Sequence, residues 1–80
     1  MTVEEAKSNI IRILERILKD RGHAIPSITG ETVLLGQLPI DSLDLAVLIV
    51  EMEELTSRDP FKGGFIDFRT VGDLACLYAR

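Results

Sequence analysis

Asp41-Ser42-Leu43-Asp44-Leu45-Ala46-Val47-Leu48-Ile49-Val50-Glu51-Met52-Glu53-Glu54-Leu55 is the stretch on which the fold turns. It contains neither glycine nor proline, and Asp41 is suited to accept a hydrogen bond from the free backbone N–H groups that open a helix. A helix is therefore expected from Ser42 to about Ser57. Projected at about 100° per residue, Leu45, Leu48, Ile49, Met52 and Leu55 share one face, which is assigned to the core. Leu43, Val47 and Val50 fall on a second face, edged by Asp44 and Glu51 and ending at Glu54. A helix apolar on two sides is either deeply buried or offers its second stripe to another molecule. The acidic border beside Ser42 favours a partner.

On the N-terminal side, Thr2-Val3-Glu4-Glu5 has the form of a capping box. Val3, Ala6, Ile10, Ile13, Leu14 and Ile17 then follow helical spacing, predicting a first helix over about residues 3–20, with Gly22 as its stop. A long connection leads to Asp41. It is punctuated by Pro26, Gly30, Gly36 and Pro39, while Ile28, Val33, Leu34, Leu35 and Leu38 are available to pin it to the core. A connection of that length is expected to be packed or functional. Beyond the second helix, Pro60, Gly63 and Gly64 break the chain and Phe61, Phe65, Ile66 and Phe68 supply apolar surface; a short third helix is expected within 64–69. Thr70-Val71-Gly72-Asp73 opens a fourth, with Val71, Leu74, Ala75 and Tyr78 on one face. The expected fold is all-α. It is a small four-helix bundle of three main helices and a short third one, with a long loop between the first two, forming a single domain over 1–80.

Eighty residues lie near the lower limit for a self-sufficient core. With 46% apolar residues and Cys76 as the single cysteine, that core comes from aliphatic packing, without disulfides. A cytoplasmic location is expected. The longest apolar run, Leu45 to Val50, is far short of the roughly 18 residues that suggest a membrane span, and Glu4, Glu5 and Lys7 occupy the place of a secretion signal's apolar region. The formal net charge is −4. Residues 1–40 are balanced, 41–59 carry six acidic side chains and one basic, and 60–80 carry two acidic and three basic. The imbalance sits beside Ser42, which predicts partners with basic docking patches and argues against nucleic acid; with so short an apolar run, no membrane partner is expected either. Leu43, Asp44, Val47, Val50, Glu51 and Glu54 form the expected docking face on a monomer.

Ser42 itself has no activating base in its segment. A nucleophilic serine needs a base within hydrogen-bond reach and a group that orients it, and the single histidine, His23, lies in another segment. Ser42 therefore reads as an attachment point on which another enzyme acts, and no residue is assigned a catalytic role. His23 beside Gly22 suits a helix end. Cys76 reads as a packing or surface residue. The acids of 41–54 have no ordered ligand-loop pattern, so no metal site is assigned.

Taken together, Asp41-Ser42-Leu43 at a helix head, Leu38 three residues before Asp41, Leu48, the Glu53-Glu54 pair and Thr70-Val71-x-Asp73-Leu74 resemble an acyl carrier protein over essentially the whole chain. The resemblance implies that Ser42 receives 4′-phosphopantetheine from coenzyme A through a separate magnesium-dependent phosphopantetheinyl transferase, with Asp41 part of the motif. The arm's thiol would then hold an acyl or aminoacyl group as a thioester for loading and processing enzymes. This chain departs from many fatty-acid carriers at Pro39-Ile40, where they have a small pair, and at Val47, where they commonly have Glu. The Asp59–Phe65 region also lacks their acidic character. It is thus more similar to discrete carriers of specialised, polyketide-like or fatty-acid-like pathways. An aminoacyl carrier loaded by an amino-acid-activating ligase, and an unmodified helical adaptor, are the alternatives.

Overall fold

A backbone entering a helix leaves its first N–H groups without acceptors, and this chain meets that need in the same way at three helix starts. A computed structural model describes residues 1–79. In α1, Val3–Asp20, the Glu5 N–H donates to the Thr2 hydroxyl at 3.1 Å and the Thr2 N–H donates to Glu5 Oε1 at 2.8 Å. The hydrogen bonds from Thr2, the backbone one foremost, hold the Glu5 carboxyl below its ordinary pKa. The far end closes with Gly22 in the left-handed region, φ +77°. There the Gly22 and His23 N–H groups donate to the carbonyls of Lys19 and Leu18. This double closure needs a residue that tolerates positive φ.

The inward face of α1 is Ala6, Ile10, Ile13, Leu14, Ile17 and Leu18, all buried. It packs against both α3, Ser42–Thr56, and α4, Val71–Tyr78. α4 contributes Val71, Leu74, Ala75 and Tyr78, the face expected from its spacing, and α3 contributes Leu48 and Met52. These side chains join Leu34 and Leu38 from the long connection in one core. Among the described residues the fold is all-helical, with one isolated antiparallel bridge, Val33 to Thr70, and no strand.

The short helix is not where the sequence pattern put it. Residues 64–69 are not helical; the extra helical turn is α2, Leu34–Gln37, inside the long connection and kinked at Leu35. Where the stretch ends, the chain enters non-local backbone pairing instead. The Arg69 carbonyl accepts from Leu34 N–H at 3.0 Å, Thr70 bridges Val33, and the Val71 N–H donates to Thr32 O at 3.0 Å. Only Arg69 of the 64–69 stretch joins this pairing; the N–H groups of Phe65 to Phe68 make no hydrogen bond among the described residues, helical or otherwise. Gly72 completes the seam by donating to Gly30 O at 2.7 Å, an approach so close that a Cβ at 72 would lie 2.9 Å from that oxygen. The face assignment of α3 also needs amending at its ends. Leu45 and Ile49 are only half-buried, and Leu55 is exposed, because the last turn of α3 runs alongside Arg12 and Arg16 of α1 without an element above it.

Tyr78 is fully buried, and its hydroxyl has no hydrogen-bond partner among the described residues. Burial, reinforced by the negative charges of Asp59 and Glu53, pushes its pKa up to about 12 from an ordinary 10.0. A group that binds its proton more tightly when folded stabilises the fold fully below its unfolded pKa and loses that contribution as pH rises through the folded one. Stability should therefore fall between about pH 10 and 12. Tyr78→Phe should flatten that decline and, by removing an unsatisfied buried hydroxyl that costs about 1–3 kcal/mol, match or exceed the wild type at pH 7. Urea midpoints across pH check both. Leu48→Ala, in contrast, should cost about 2–5 kcal/mol by transfer and cavity terms.

Candidate functional site

At the head of α3 the capping box is made by two aspartates. Asp41 Oδ1 accepts the Asp44 N–H at 3.0 Å, and Asp44 Oδ2 accepts the Asp41 N–H at 3.1 Å. The Asp44 backbone N–H is the main reason that the Asp41 carboxyl titrates below its usual range, with nearby Arg21 adding to the effect. Asp41 has extended backbone and Ser42 is the first helical residue. These capping bonds run between Asp41 and Asp44 and leave the exposed Ser42 hydroxyl outside them. Ser42 is thus presented to solvent at a helix N-terminus, where N–H groups and the positive dipole end favour an anion.

Asp44 does not lie on the exposed strip where the helical projection placed it. It is buried, and its Oδ1 pairs with Arg21 Nη2 at 2.7 Å. One carboxylate therefore closes the cap of α3 and ties it to the C-terminal cap residue of α1. Glu51 is likewise engaged across the helix pair, accepting two bonds from the Arg16 guanidinium, which lower its pKa and raise that of Arg16. What remains exposed is the apolar stripe itself, Leu43 at 67%, Val47 at 41% and Val50 at 53%, with Glu54 at its end. The stripe is opposite Leu48, so deep burial of both faces is excluded within the monomer.

Beside the first turns of α3 is a feature that the residue pattern did not reveal, an open cavity of about 570 Å³. Leu45, three residues beyond Ser42, forms part of its wall. Val33, Leu34 and Leu35 of the connection and Phe65 and Phe68 of the later loop supply other apolar parts, and Asp67 and Arg69 are the charged residues on its lining. Its volume is in the range of small-molecule sites, roughly 300–1,000 Å³. A second hollow of about 500 Å³ separates Arg12, Ile13 and Arg16 of α1 from Glu51, Glu54 and Leu55 of α3.

Comparison of the chain with protein-family models, curated proteins and solved structures gives no match. The functional reading rests on the site's own chemistry. Among the described residues no three His, Cys, Asp or Glu side chains converge as a metal-binding group, and no helix is long and apolar enough to cross a membrane. Cys76 is exposed on α4, and His23 is exposed just after α1, where its backbone N–H rather than its ring serves the helix end.

The dual engagement of Asp44 has a measurable consequence. Arg21→Ala leaves a buried carboxylate without its cation, and Asp44→Ala removes both the pair and half of the cap. Each should lower stability by about 1.5–3 kcal/mol, the range for a hydrogen bond to a charged group. Asp44→Asn, which can still cap, should lose less than Asp44→Ala; equal losses in urea unfolding would mean that the cap contributes little.

Proposed function

We propose that this chain is a carrier protein of the acyl carrier type, modified at Ser42 with 4′-phosphopantetheine. The observation that carries the reading is the solvent-facing Ser42 hydroxyl, outside the bonds of the helix cap, with Leu45, three residues on in the same helix, in the wall of a mostly apolar cavity. The prosthetic group fits these residues. A phosphodiester on Ser42 suits the unpaired N–H groups and dipole of the α3 N-terminus. The exposed hydroxyl leaves room for a transferase, and the cavity is of a size and polarity to receive an apolar chain.

In the transfer, the Ser42 oxygen attacks the pantetheine-bearing phosphorus of coenzyme A. That P–O bond breaks toward 3′,5′-ADP, which leaves with the electron pair, and the serine proton passes to a base on the transferase. The bound arm supplies a thiol that holds an acyl group as a thioester. Ser42 anchors this arm, Asp41 fixes the backbone from which it leaves, and Leu45 with the loop residues offers an apolar surface beside it. The mostly apolar lining favours acyl over aminoacyl cargo. Asp67, an anion at the cavity, is the feature that supports the aminoacyl alternative, since it could meet an ammonium group. The proposed location is the cytoplasm, where coenzyme A is available to the transferase.

Leu43, Val47 and Val50, ending at Glu54, form the proposed docking stripe for the transferase and pathway enzymes. Asp44 and Glu51 are assigned no direct contact, because Arg21 and Arg16 already engage them. The same exposed stripe would serve an unmodified adaptor, and modification separates the readings. Incubation with coenzyme A, magnesium and a phosphopantetheinyl transferase should add one phosphopantetheine by intact mass. Ser42→Ala should abolish the addition with little change in circular dichroism; an unmodified wild type across several transferases would overturn the proposal.

The stripe has its own test. Val47→Glu should slow loading by the dedicated partner while leaving the melting midpoint near that of the wild type, since Val47 faces away from the core. A midpoint lowered as far as that of Leu48→Ala would remove the docking stripe.

A further inference from the structure

The arm proposed for Ser42 brings a phosphodiester, and so one more negative charge, to a helix head that already holds two carboxylates, Asp41 and Asp44. The cation placed there comes from another element. Arg21, at the end of α1, has its Nη2 2.7 Å from Asp44 Oδ1, while Asp44 Oδ2 accepts the Asp41 N–H at 3.1 Å. That second bond folds the Asp44 side chain back toward the start of α3. The guanidinium is therefore held beside the residue that immediately precedes Ser42, close enough for its charge to add to the lowering of the Asp41 pKa.

One contact leaves most of Arg21 unused. A guanidinium carries five N–H donors in a planar fork, and that of Arg21 has no second partner among the described residues. Its side chain is 43% exposed. Asp44, in contrast, is buried and engaged through both oxygens, so it cannot give way to an arriving anion. The free edge of Arg21 can meet one. We propose that Arg21 is a positioning residue for the arm: one edge of its guanidinium keeps Asp44 and the other takes an unesterified oxygen of the phosphodiester, holding the base of the arm at the junction of α1 and α3. The inference rests on the carrier reading for the presence of the phosphate. A planar fork suits this sharing, because it bonds two oxyanions at once, whereas an ammonium group acts as a point charge.

Two phosphate-bearing preparations separate this inference from the reading on which it rests. One is the chain of residues 1–80 made by chemical synthesis with a methyl phosphodiester on Ser42 Oγ, which has the charge of the arm's phosphate and needs no transferase. The other is the enzymatically loaded chain. In each, the phosphorus and Arg21 Nε–H signals are followed by nuclear magnetic resonance, and urea unfolding is compared between wild type and Arg21→Gln, with and without the phosphodiester. The phosphodiester should shift the Arg21 signal. The folding equilibrium constant should respond to it more favourably in the wild type than in Arg21→Gln by about two- to fivefold, the effect of an exposed ion pair, and about 1 M sodium chloride should shrink that gap. Arg21→Lys should restore part of it. An Arg21 that serves Asp44 alone would weaken both forms alike, so an identical response in the two backgrounds, or an unmoved Arg21 signal, would overturn the proposal. Should Arg21→Gln not fold, the wild-type Arg21 signal and Arg21→Lys decide it. A synthetic chain that behaves as expected while transferases leave Ser42 untouched would keep the contact between Arg21 and phosphate and remove the carrier reading.

Discussion

The seam of backbone hydrogen bonds between residues 30–34 and 69–72 organises the half of the molecule that α1 does not. Three N–H groups, from Leu34, Val71 and Gly72, find carbonyls across it. With them the long connection stops being a tether. Leu34 is delivered to the core, α2 is set at the edge of the cavity, and α4 begins where Thr70 can cap it. Buried or half-buried backbone must have partners, and neither segment offers them to itself. The seam thus positions the Phe65–Phe68 loop on one side of the cavity and Val33–Leu35 on the other.

Much of the remaining architecture is written in local chemistry. Thr2 with Glu5, Asp41 with Asp44 and Thr70 with Asp73 mark helix starts because the interacting groups are three residues apart. Spacing selects the buried face of α4 and most of that of α1, where Val3, expected inside, is exposed and Leu18 is buried in addition. What local pattern cannot supply is a partner distant in sequence. Residues 64–69 carry no strong signal of their own, and the point to which they lead is fixed by Leu34 and Val33, which hold Arg69 and Thr70 from more than thirty residues earlier. Asp44 reads as a border charge on a helical projection; only the return of α1 at Arg21 makes its burial tolerable. Charges are seldom buried without a partner, and that partner is invisible in the helix's own sequence.

At the candidate site, the exposed serine and the apolar stripe of Leu43, Val47 and Val50 were legible, because both follow from where α3 begins and which face Leu48 occupies. Their significance for a carrier remains the proposal above. The cavity was not legible. Its wall joins Leu45 of α3 to residues from two irregular segments whose meeting depends on the seam. Leu55 shows the complementary lesson: helical phase placed it inward, but phase does not say where the neighbouring helix ceases to cover it.

The two ion pairs of α3 also alter what an approaching molecule senses. In the linear chain, residues 41–59 look like a block of surplus negative charge. In the folded one, Arg16 and Arg21 of α1 sit directly on Glu51 and Asp44. Opposite charges held this close act from afar as small dipoles, and their separate fields fade well within the screening length of about 8 Å in physiological salt. The far field of this face therefore comes chiefly from Glu53, Glu54, Asp59 and Asp41, of which only Glu54, at its end, lies on the apolar stripe. An arriving protein would be drawn toward the face as a whole, and its register along the stripe would be set only at contact, by the shapes of Leu43, Val47 and Val50.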